Sequence, residues 1–190
     1  MLAKSVDRSP FVIRQYAPGD IGWIVHRHGA LYAAEYGWDE TFEALVAEIA
    51  GQFLKAHDPA RERCWVAERD GEIVGSVFIV DAGEGNAKLR LLYVEPAARG
   101  LGLGRSLIDE ALRFARRAGY RKVTLWTNDI LTAARLLYQR AGFEMVAVER
   151  HHSFGKDLVG ENWEKRLQAD APAFPGAGAG EDLDSGAASV

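Results

Sequence analysis

The chain has 190 residues, 48% of them hydrophobic, which is enough apolar content for one domain with its own core. Its formal net charge of -4 argues against a nucleic-acid-binding surface, and no segment has the apolar length of a membrane span. One cysteine, Cys64, excludes an internal disulfide, and the spacing of the five histidines predicts no metal site. Because residues 1–10 also lack the apolar run of a secretory signal, we expect a cytoplasmic protein.

Eleven elements are predicted, in the order β-α-α-β-β-β-α-β-α-β-β. Their expected bounds are strand 11–16, helix 20–36, helix 39–53, strand 64–69, strand 72–80, strand 88–94, helix 104–118, strand 122–127, helix 132–141, strand 143–150 and strand 162–167. Asp20 and Asp39 are the predicted N-caps of the first two helices, and Asp70-Gly71 predicts a hairpin turn. Residues 151–161 are expected to be a loop. The order predicts an α/β fold with a sheet of mixed direction.

The composition divides the chain into three parts. We expect an N-terminal extension at residues 1–10, one domain at 11–168 and a tail at 169–190. The tail is rich in Ala, Gly, Pro, Ser and acidic residues and has no periodicity, so we expect it to be disordered.

A glycine-rich segment follows the strand that ends at Val94, and a predicted helix begins at once. Residues 99–104 read Arg-Gly-Leu-Gly-Leu-Gly. Alternate glycines let backbone N–H groups approach a ligand, the helix N-terminus adds partial positive charge, and Arg99 and Arg105 add full charges. A flexible turn is the alternative, but the flanking strand, helix and arginines favour a pyrophosphate site. The glycine spacing fits neither a Rossmann fingerprint nor a Walker A loop.

Two motifs in this order resemble the GNAT superfamily of N-acetyltransferases. Arg99, Gly102 and Gly104 are similar to its Arg/Gln-x-x-Gly-x-Gly/Ala signature, and residues 137–143 are similar to its Leu-Tyr-x-x-x-Gly-Phe element. The resemblance covers residues 11–167. It implies a mostly antiparallel mixed sheet with splayed fourth and fifth strands, flanked by helices.

A closer resemblance links residues 125–135 and 151–160 to the acetyltransferase half of MarR-type regulator fusions. The fused winged-helix half has no counterpart, so DNA binding is not implied.

The resemblance also implies acetyl-CoA as cosubstrate. In the family the glycine loop holds the pyrophosphate, and a bulge in the preceding strand binds pantetheine and the thioester carbonyl. The implied cofactor residues are Leu92, Tyr93, Val94, Arg99, Gly100, Leu101, Gly102, Leu103, Gly104, Arg105 and Asn128. Many members have an asparagine where this chain has Leu131, so it stays open whether Asn128 contacts pantetheine or only satisfies a turn.

The implied reaction is direct attack by a primary amine on the acetyl thioester in a ternary complex. Tyr138 is the implied acid for the departing thiolate, because its counterpart in the family lies beside the coenzyme sulfur. Glu35 is the candidate base, with Glu95, His151, His152 and water as rivals. A non-catalytic acyl-CoA-binding sensor or interaction module on the same fold is the alternative function.

The expected partner is an amine acceptor, either a small molecule or a protein amine. Neither nucleic acid nor a membrane is expected, and a homodimer stays open. We place one wall of the acceptor site at Glu35, Tyr36 and Trp38 and the other at residues 151–160. His28 is expected to be a core histidine with its hydrogen bonds satisfied.

Overall fold

A seven-stranded sheet forms the centre of the computed structural model, which describes residues 10–167. The strands are β1 (Val12–Gln15), β2 (Arg63–Arg69), β3 (Glu72–Asp81), β4 (Asn86–Val94), β5 (Lys122–Asn128), β6 (Glu144–Ser153) and β7 (Lys156–Arg166). The helices are α1 (Asp20–Tyr36), α2 (Glu40–Ala56), α3 (Leu103–Arg117) and α4 (Thr132–Arg140), with a short 3-10 helix at Pro96–Ala98. The predicted order of elements is therefore confirmed.

The strands lie in the order β1-β2-β3-β4-β5-β7-β6, and β4–β5 is the parallel pair among otherwise antiparallel neighbours. Helices α1 and α2 pack on one face, where Ile24 and Phe53 contact Phe78 and its neighbours. Helices α3 and α4 cover the other face. There Leu107 and Ile108 are fully buried, each burial stabilising the fold by about 1.5–3 kcal/mol.

Strands β4 and β5 separate soon after they begin. Only residues 86–88 of β4 pair with residues 122–124 of β5. Beyond this point β4 continues along β3 and β5 continues along β7. A gap therefore opens between their C-terminal halves. This confirms the splayed fourth and fifth strands that the resemblance implied.

Two sequence predictions about local structure were wrong. Residues 151–161 are not a loop, because β6 and β7 form one long hairpin closed by Phe154 and Gly155. Strand β6 was predicted at 143–150, but it continues to Ser153, and β7 begins at Lys156. Because β6 lies at the sheet edge and is almost entirely exposed, its last residues lack the hydrophobic alternation that would have indicated a strand.

Asp20 is the first residue of α1 and not its N-cap. Its carboxylate instead accepts hydrogen bonds from the Ala17 N–H (2.7 Å) and from Arg14 (2.6 Å). The predicted cap of α2 is confirmed, since Asp39 accepts from the Thr41 N–H at 3.1 Å.

Residues 1–9 of the extension predicted at 1–10, and the whole tail predicted at 169–190, lie outside the described residues. No helix within residues 10–167 is long and apolar enough to span a membrane. In the same part of the chain, His, Cys, Asp and Glu side chains form no group of three that could hold a metal ion. Cys64 is fully buried in β2, and burial raises the pKa of its thiol, as expected for a structural cysteine.

Candidate active site

A cavity of about 340 Å³ occupies the gap between β4 and β5. Its walls come from both sides of the sheet, because α1 and α2 contribute one side and α4 the other. The lining residues are His28, Tyr32, Trp38, Phe42, Leu45, Val46, Ile49, Lys88, Leu89, Arg90, Leu91, Leu92, Trp126, Thr127, Asn128, Leu131, Ala134 and Tyr138. The cavity thus joins the helix that carries the Leu-Tyr motif to the helices that follow the first strand.

The glycine-rich segment leads into the N-terminus of α3, and none of its residues lines the cavity. Gly100 (φ 79°) and Gly102 (φ 80°) are in the left-handed region, which glycine adopts without strain. A Cβ at either position would meet no atom within 4 Å, so both glycines face open space. No side chain caps α3, and its first N–H groups are therefore available to an anion.

Gly104 has a different role from the other two glycines. A Cβ there would lie 2.7 Å from Leu137 of α4, so this glycine permits close packing of α3 on α4. Because Leu137 precedes Tyr138, the packing brings the glycine-rich segment and the Leu-Tyr motif together. The two motifs, which lie far apart in the sequence, are thus neighbours in the fold.

The two arginines that flank the glycines already have carboxylate partners. Arg99 Nη2 lies 2.8 Å from Glu35 Oε1, and Arg105 Nε lies 2.8 Å from Asp109 Oδ2. From the sequence, both arginines were predicted to contribute their positive charges to a pyrophosphate site. The groups available to a phosphate without breaking an ion pair are therefore the backbone N–H groups at the start of α3.

The end of β4 carries a bulge. Between the pairs Phe78–Arg90 and Ser76–Tyr93, two β4 residues stand opposite one β3 residue, and Leu91 has a φ of 49°. Both bulge residues, Leu91 and Leu92, line the cavity, whereas the Tyr93 ring packs against His28 with centroids 5.0 Å apart. The bulge lies where the resemblance puts the pantetheine-binding strand.

Tyr138 lies in the wall of the cavity at the C-terminal end of α4. It is buried beside Phe143 and Trp163, and burial raises the pKa of its phenol. The hydroxyl therefore stays protonated at neutral pH. Such a group can donate a proton but cannot accept one without first losing its own.

The two candidate carboxylate bases, Glu35 and Glu95, each form an ion pair with an arginine. Glu35 is bound to Arg99 and does not line the cavity. Glu95 forms a two-point ion pair with Arg27, at 2.5 and 3.0 Å. Each carboxylate is therefore engaged in an ion pair with an arginine.

The two rival histidines lie on β6. His151 Nε2 donates to Asn128 Oδ1 at 2.9 Å, and the exposed His152 contacts Asp157 at 2.7 Å. The side-chain oxygen of Asn128 is thus occupied by His151, and Asn128 also lines the cavity. Leu131, at the N-terminus of α4, provides no side-chain cap.

His28 is buried, but only one of its ring nitrogens is satisfied. Nδ1 donates to the Ile24 carbonyl at 2.8 Å, whereas Nε2 has no partner among the described residues. Burial lowers the pKa of His28 to about 4, so its ring is neutral at pH 7. The expectation of a fully satisfied core histidine was wrong in this respect.

The predicted acceptor walls are only partly brought to the cavity. Trp38 lines it, but Glu35, Tyr36 and residues 151–160 do not. The hairpin turn instead packs on the α1–α2 corner, where Phe154 lies 4.8 Å from Trp38 between ring centroids. These aromatic residues form a packed cluster.

Several residues line the cavity although no functional role was predicted for them from the sequence. They include Phe42, Lys88, Arg90 and Trp126. One signal was available, since the predicted strand at 88–94 puts two basic residues on the same face of an otherwise apolar segment.

Comparison with known proteins identifies the family. Residues 26–143 match the acetyltransferase (GNAT) family, and the chain belongs to this family. An uncharacterized N-acetyltransferase of Schizosaccharomyces pombe is 31% identical over 122 residues, which cover 64% of this chain and 75% of that protein. N-acetyltransferase family 8 member 2 of Rattus norvegicus is 35% identical, over 62% of this chain and 52% of its own length.

Solved structures show the same fold. The ribosomal-protein-alanine N-acetyltransferase from Brucella melitensis superposes with a TM-score of 0.69 at 24% identity, covering 82% of this chain and 99% of that one. An acetyltransferase from Salmonella typhimurium with its cofactor acetyl-CoA gives 0.66 at 22% identity, covering 87% and 99%. The fold is therefore that of GNAT acetyltransferases.

Proposed function

We propose that the protein transfers an acetyl group from acetyl-CoA to a primary amine by direct attack in a ternary complex. The observation that carries the proposal is the packing of Gly104, at the uncapped start of α3, against Leu137, the neighbour of the cavity residue Tyr138. The acetyl-CoA-bound relative from Salmonella typhimurium supports the choice of cosubstrate. The resemblance to MarR-type fusions, the cytoplasmic location and a homodimer stay predictions and carry no part of this proposal.

The residues at the start of α3 suit a pyrophosphate. Gly100 and Gly102 leave space for it beside the backbone, and the first N–H groups of α3 point outward without a cap. Pantetheine would then lie in the gap along Leu92 and Val94. When bound, acetyl-CoA supplies the thioester that the amine attacks.

Tyr138 and the apolar walls supply the rest of the chemistry. The Tyr138 hydroxyl, protonated at neutral pH, would donate its proton to the departing sulfur, and the proton that the amine loses on attack would pass to solvent and restore the phenol. The apolar lining excludes water that would compete with the amine. Cys64 forms no acyl-enzyme, because it is fully buried and does not line the cavity.

Binding of acetyl-CoA tests the first half of the proposal. We expect acetyl-CoA to raise the melting temperature and Gly102→Val to abolish the rise, since a β-branched side chain is strained at positive φ and would fill the approach. Gly83→Val is the matched control. Gly83 has a φ of 78° and also faces open space, but it lies in the β3–β4 turn.

Release of free thiol from acetyl-CoA with a panel of amines tests the second half. Turnover with at least one amine, lost in Gly102→Val and kept in Gly83→Val, is the expected result. If acetyl-CoA binds and no amine is acetylated, the non-catalytic acyl-CoA-binding alternative is the correct function. If acetyl-CoA does not bind at millimolar concentration, both functions are wrong.

A further inference from the structure

Lys88 and Arg90 are two cations in the cavity wall that the proposed chemistry does not use. They are alternate residues of β4, so both side chains lie on the sheet face toward α2. Both are half-buried, and burial lowers the pKa of each, with the nearby charge of Arg90 adding to the effect on Lys88. Two like charges in such surroundings are costly unless an anion neutralises them.

The neighbouring strands offer Lys88 and Arg90 no carboxylate. The strand register sets Val80 and Thr124 on either side of Lys88, and it sets Phe78 beside Arg90. Beyond Arg90 the sheet is open, because β5 has already separated from β4. Both cations therefore face apolar or neutral groups within the sheet.

The nearest carboxylate along the same row of the sheet is already occupied. Glu164 of β7 pairs with Thr124, two strands from Lys88, and its Oε2 lies 2.6 Å from Lys122 Nζ. On the helix side, α2 presents Leu45, Val46 and Ile49 to the cavity. Among residues 10–167, no carboxylate forms an ion pair with Lys88 or Arg90, and none lines the cavity.

We propose that the acceptor is a small amine that also carries an anionic group, a carboxylate or a phosphate, and that Lys88 and Arg90 hold this group. The inference rests on the proposed acetyl transfer. The apolar part of the acceptor lies against the aromatic wall of Trp38, Phe42 and Trp126. A polyamine, which has positive charges only, is repelled by the same pair.

A matched set of acceptors tests the charge requirement. The set is L-phenylalanine, its amide, and its phosphonate analogue (1-amino-2-phenylethylphosphonic acid), which share one apolar group and one amine. We expect kcat/KM for at least one of the anionic acceptors to exceed that for the amide by at least about tenfold, the value of one charge-assisted contact. The two anions show whether the site prefers a carboxylate or a phosphate-like group.

Variants of Lys88 and Arg90 then test whether these two cations cause the preference for an anionic acceptor over the amide. In Arg90→Met and in Lys88→Met the ratio of anion to amide kcat/KM should fall toward one. Arg117→Met is the matched control, because it removes an equal charge from the exposed face of α3 and should keep the ratio. A wild-type ratio near one, or a ratio that both cavity variants retain, overturns the inference.

A binding arm separates this inference from the proposed reaction. With no amine to acetylate, 3-phenylpropionate should raise the melting temperature, 3-phenylpropionamide should not, and Arg90→Met should abolish the rise. If the acid binds in this way but no amine is ever acetylated, the anion site is correct and the acetyl transfer is wrong. If amines are acetylated but the acid and its amide stabilise equally, the anion site is wrong and the transfer stands.

Discussion

Single side chains in the cavity have their protonation set by burial. The phenol of Tyr138 and the imidazole of His28 both lie in apolar surroundings, which favour the neutral form of each. Glu35 and Glu95 do not line the cavity and form ion pairs with Arg99 and Arg27. At this scale the cavity offers a proton donor, and its charged side chains are positive.

Replacing Tyr138 by Phe tests the role of the proton donor. The change removes one oxygen and keeps the ring, so packing against Phe143 and Trp163 should persist. We expect kcat to fall by about 10²-fold or more, with the acetyl-CoA dissociation constant little changed. Tyr16→Phe, away from the cavity, is the control, and a Tyr138→Phe enzyme within threefold of wild type would leave Tyr138 a packing role.

Glu35 has two incompatible interpretations, as a base and as the partner of Arg99. The ion pair makes us expect that Glu35→Gln frees the charge of Arg99, so that acetyl-CoA binds about two- to fivefold more tightly at low salt. Titration of acetyl-CoA at two ionic strengths measures this, with Glu48→Gln on α2 as control. A 10²-fold loss of kcat at unchanged affinity would instead make Glu35 the base.

At the scale of elements, the β6–β7 hairpin holds the α1–α2 corner. Phe154 at the hairpin turn packs on Trp38 and Phe42, and its carbonyl accepts a hydrogen bond from the Asp39 N–H at 3.2 Å. This contact joins the C-terminal hairpin to the beginning of α2. It fixes Trp38 and Phe42, and both of these line the cavity.

Truncation of Phe154 measures how much this contact stabilises the fold. Phe154→Ala should lower the free energy of unfolding by about 3 kcal/mol, because a buried aromatic side chain is lost from a packed cluster. Denaturant unfolding gives this value. Val148→Ala, on the exposed part of β6, should cost less than about 1 kcal/mol, and equal losses in the two variants would mean that the hairpin turn does not stabilise the corner.

At the scale of the whole molecule, the free energy of unfolding depends on pH because the imidazole of His28 is buried in its neutral form. The pKa of His28 is about 4 in the folded chain, below its ordinary value of 6.5. The unfolded chain therefore binds this proton first as the pH falls. The stabilisation is fully present above pH 6.5 and is lost as the pH falls toward 4.

The pH dependence of unfolding checks this contribution. Each unit of the shift corresponds to about 1.4 kcal/mol, so over this window His28 should contribute a loss on the order of 3 kcal/mol. In His28→Phe that part of the pH dependence should disappear. The Ile24 carbonyl loses its contact with the ring but keeps its helical hydrogen bond. Parallel pH curves for wild type and variant would show that His28 is not buried as a neutral base.

Much of the fold was predictable because it is encoded locally. The turn at Asp70-Gly71, the cap at Asp39 and the helical period of α3 each depend on residues within a few positions. The glycine-rich segment was also predictable, since Gly100 and Gly102 adopt a backbone conformation that strains other residues. The last residues of β6, beyond the predicted end at 150, were not predictable, because the end of an exposed edge strand needs no apolar alternation.

The sequence by itself thus determined the order of elements, the glycine-rich segment and the Leu-Tyr motif. Only the tertiary structure decided which charges are neutralised. Glu35 reaches Arg99 from 64 positions away, and Lys88 and Arg90 are left with apolar neighbours by the register of β3 and the departure of β5. Such partners depend on which strands and helices become neighbours across the fold, and no pattern within a short segment specifies that.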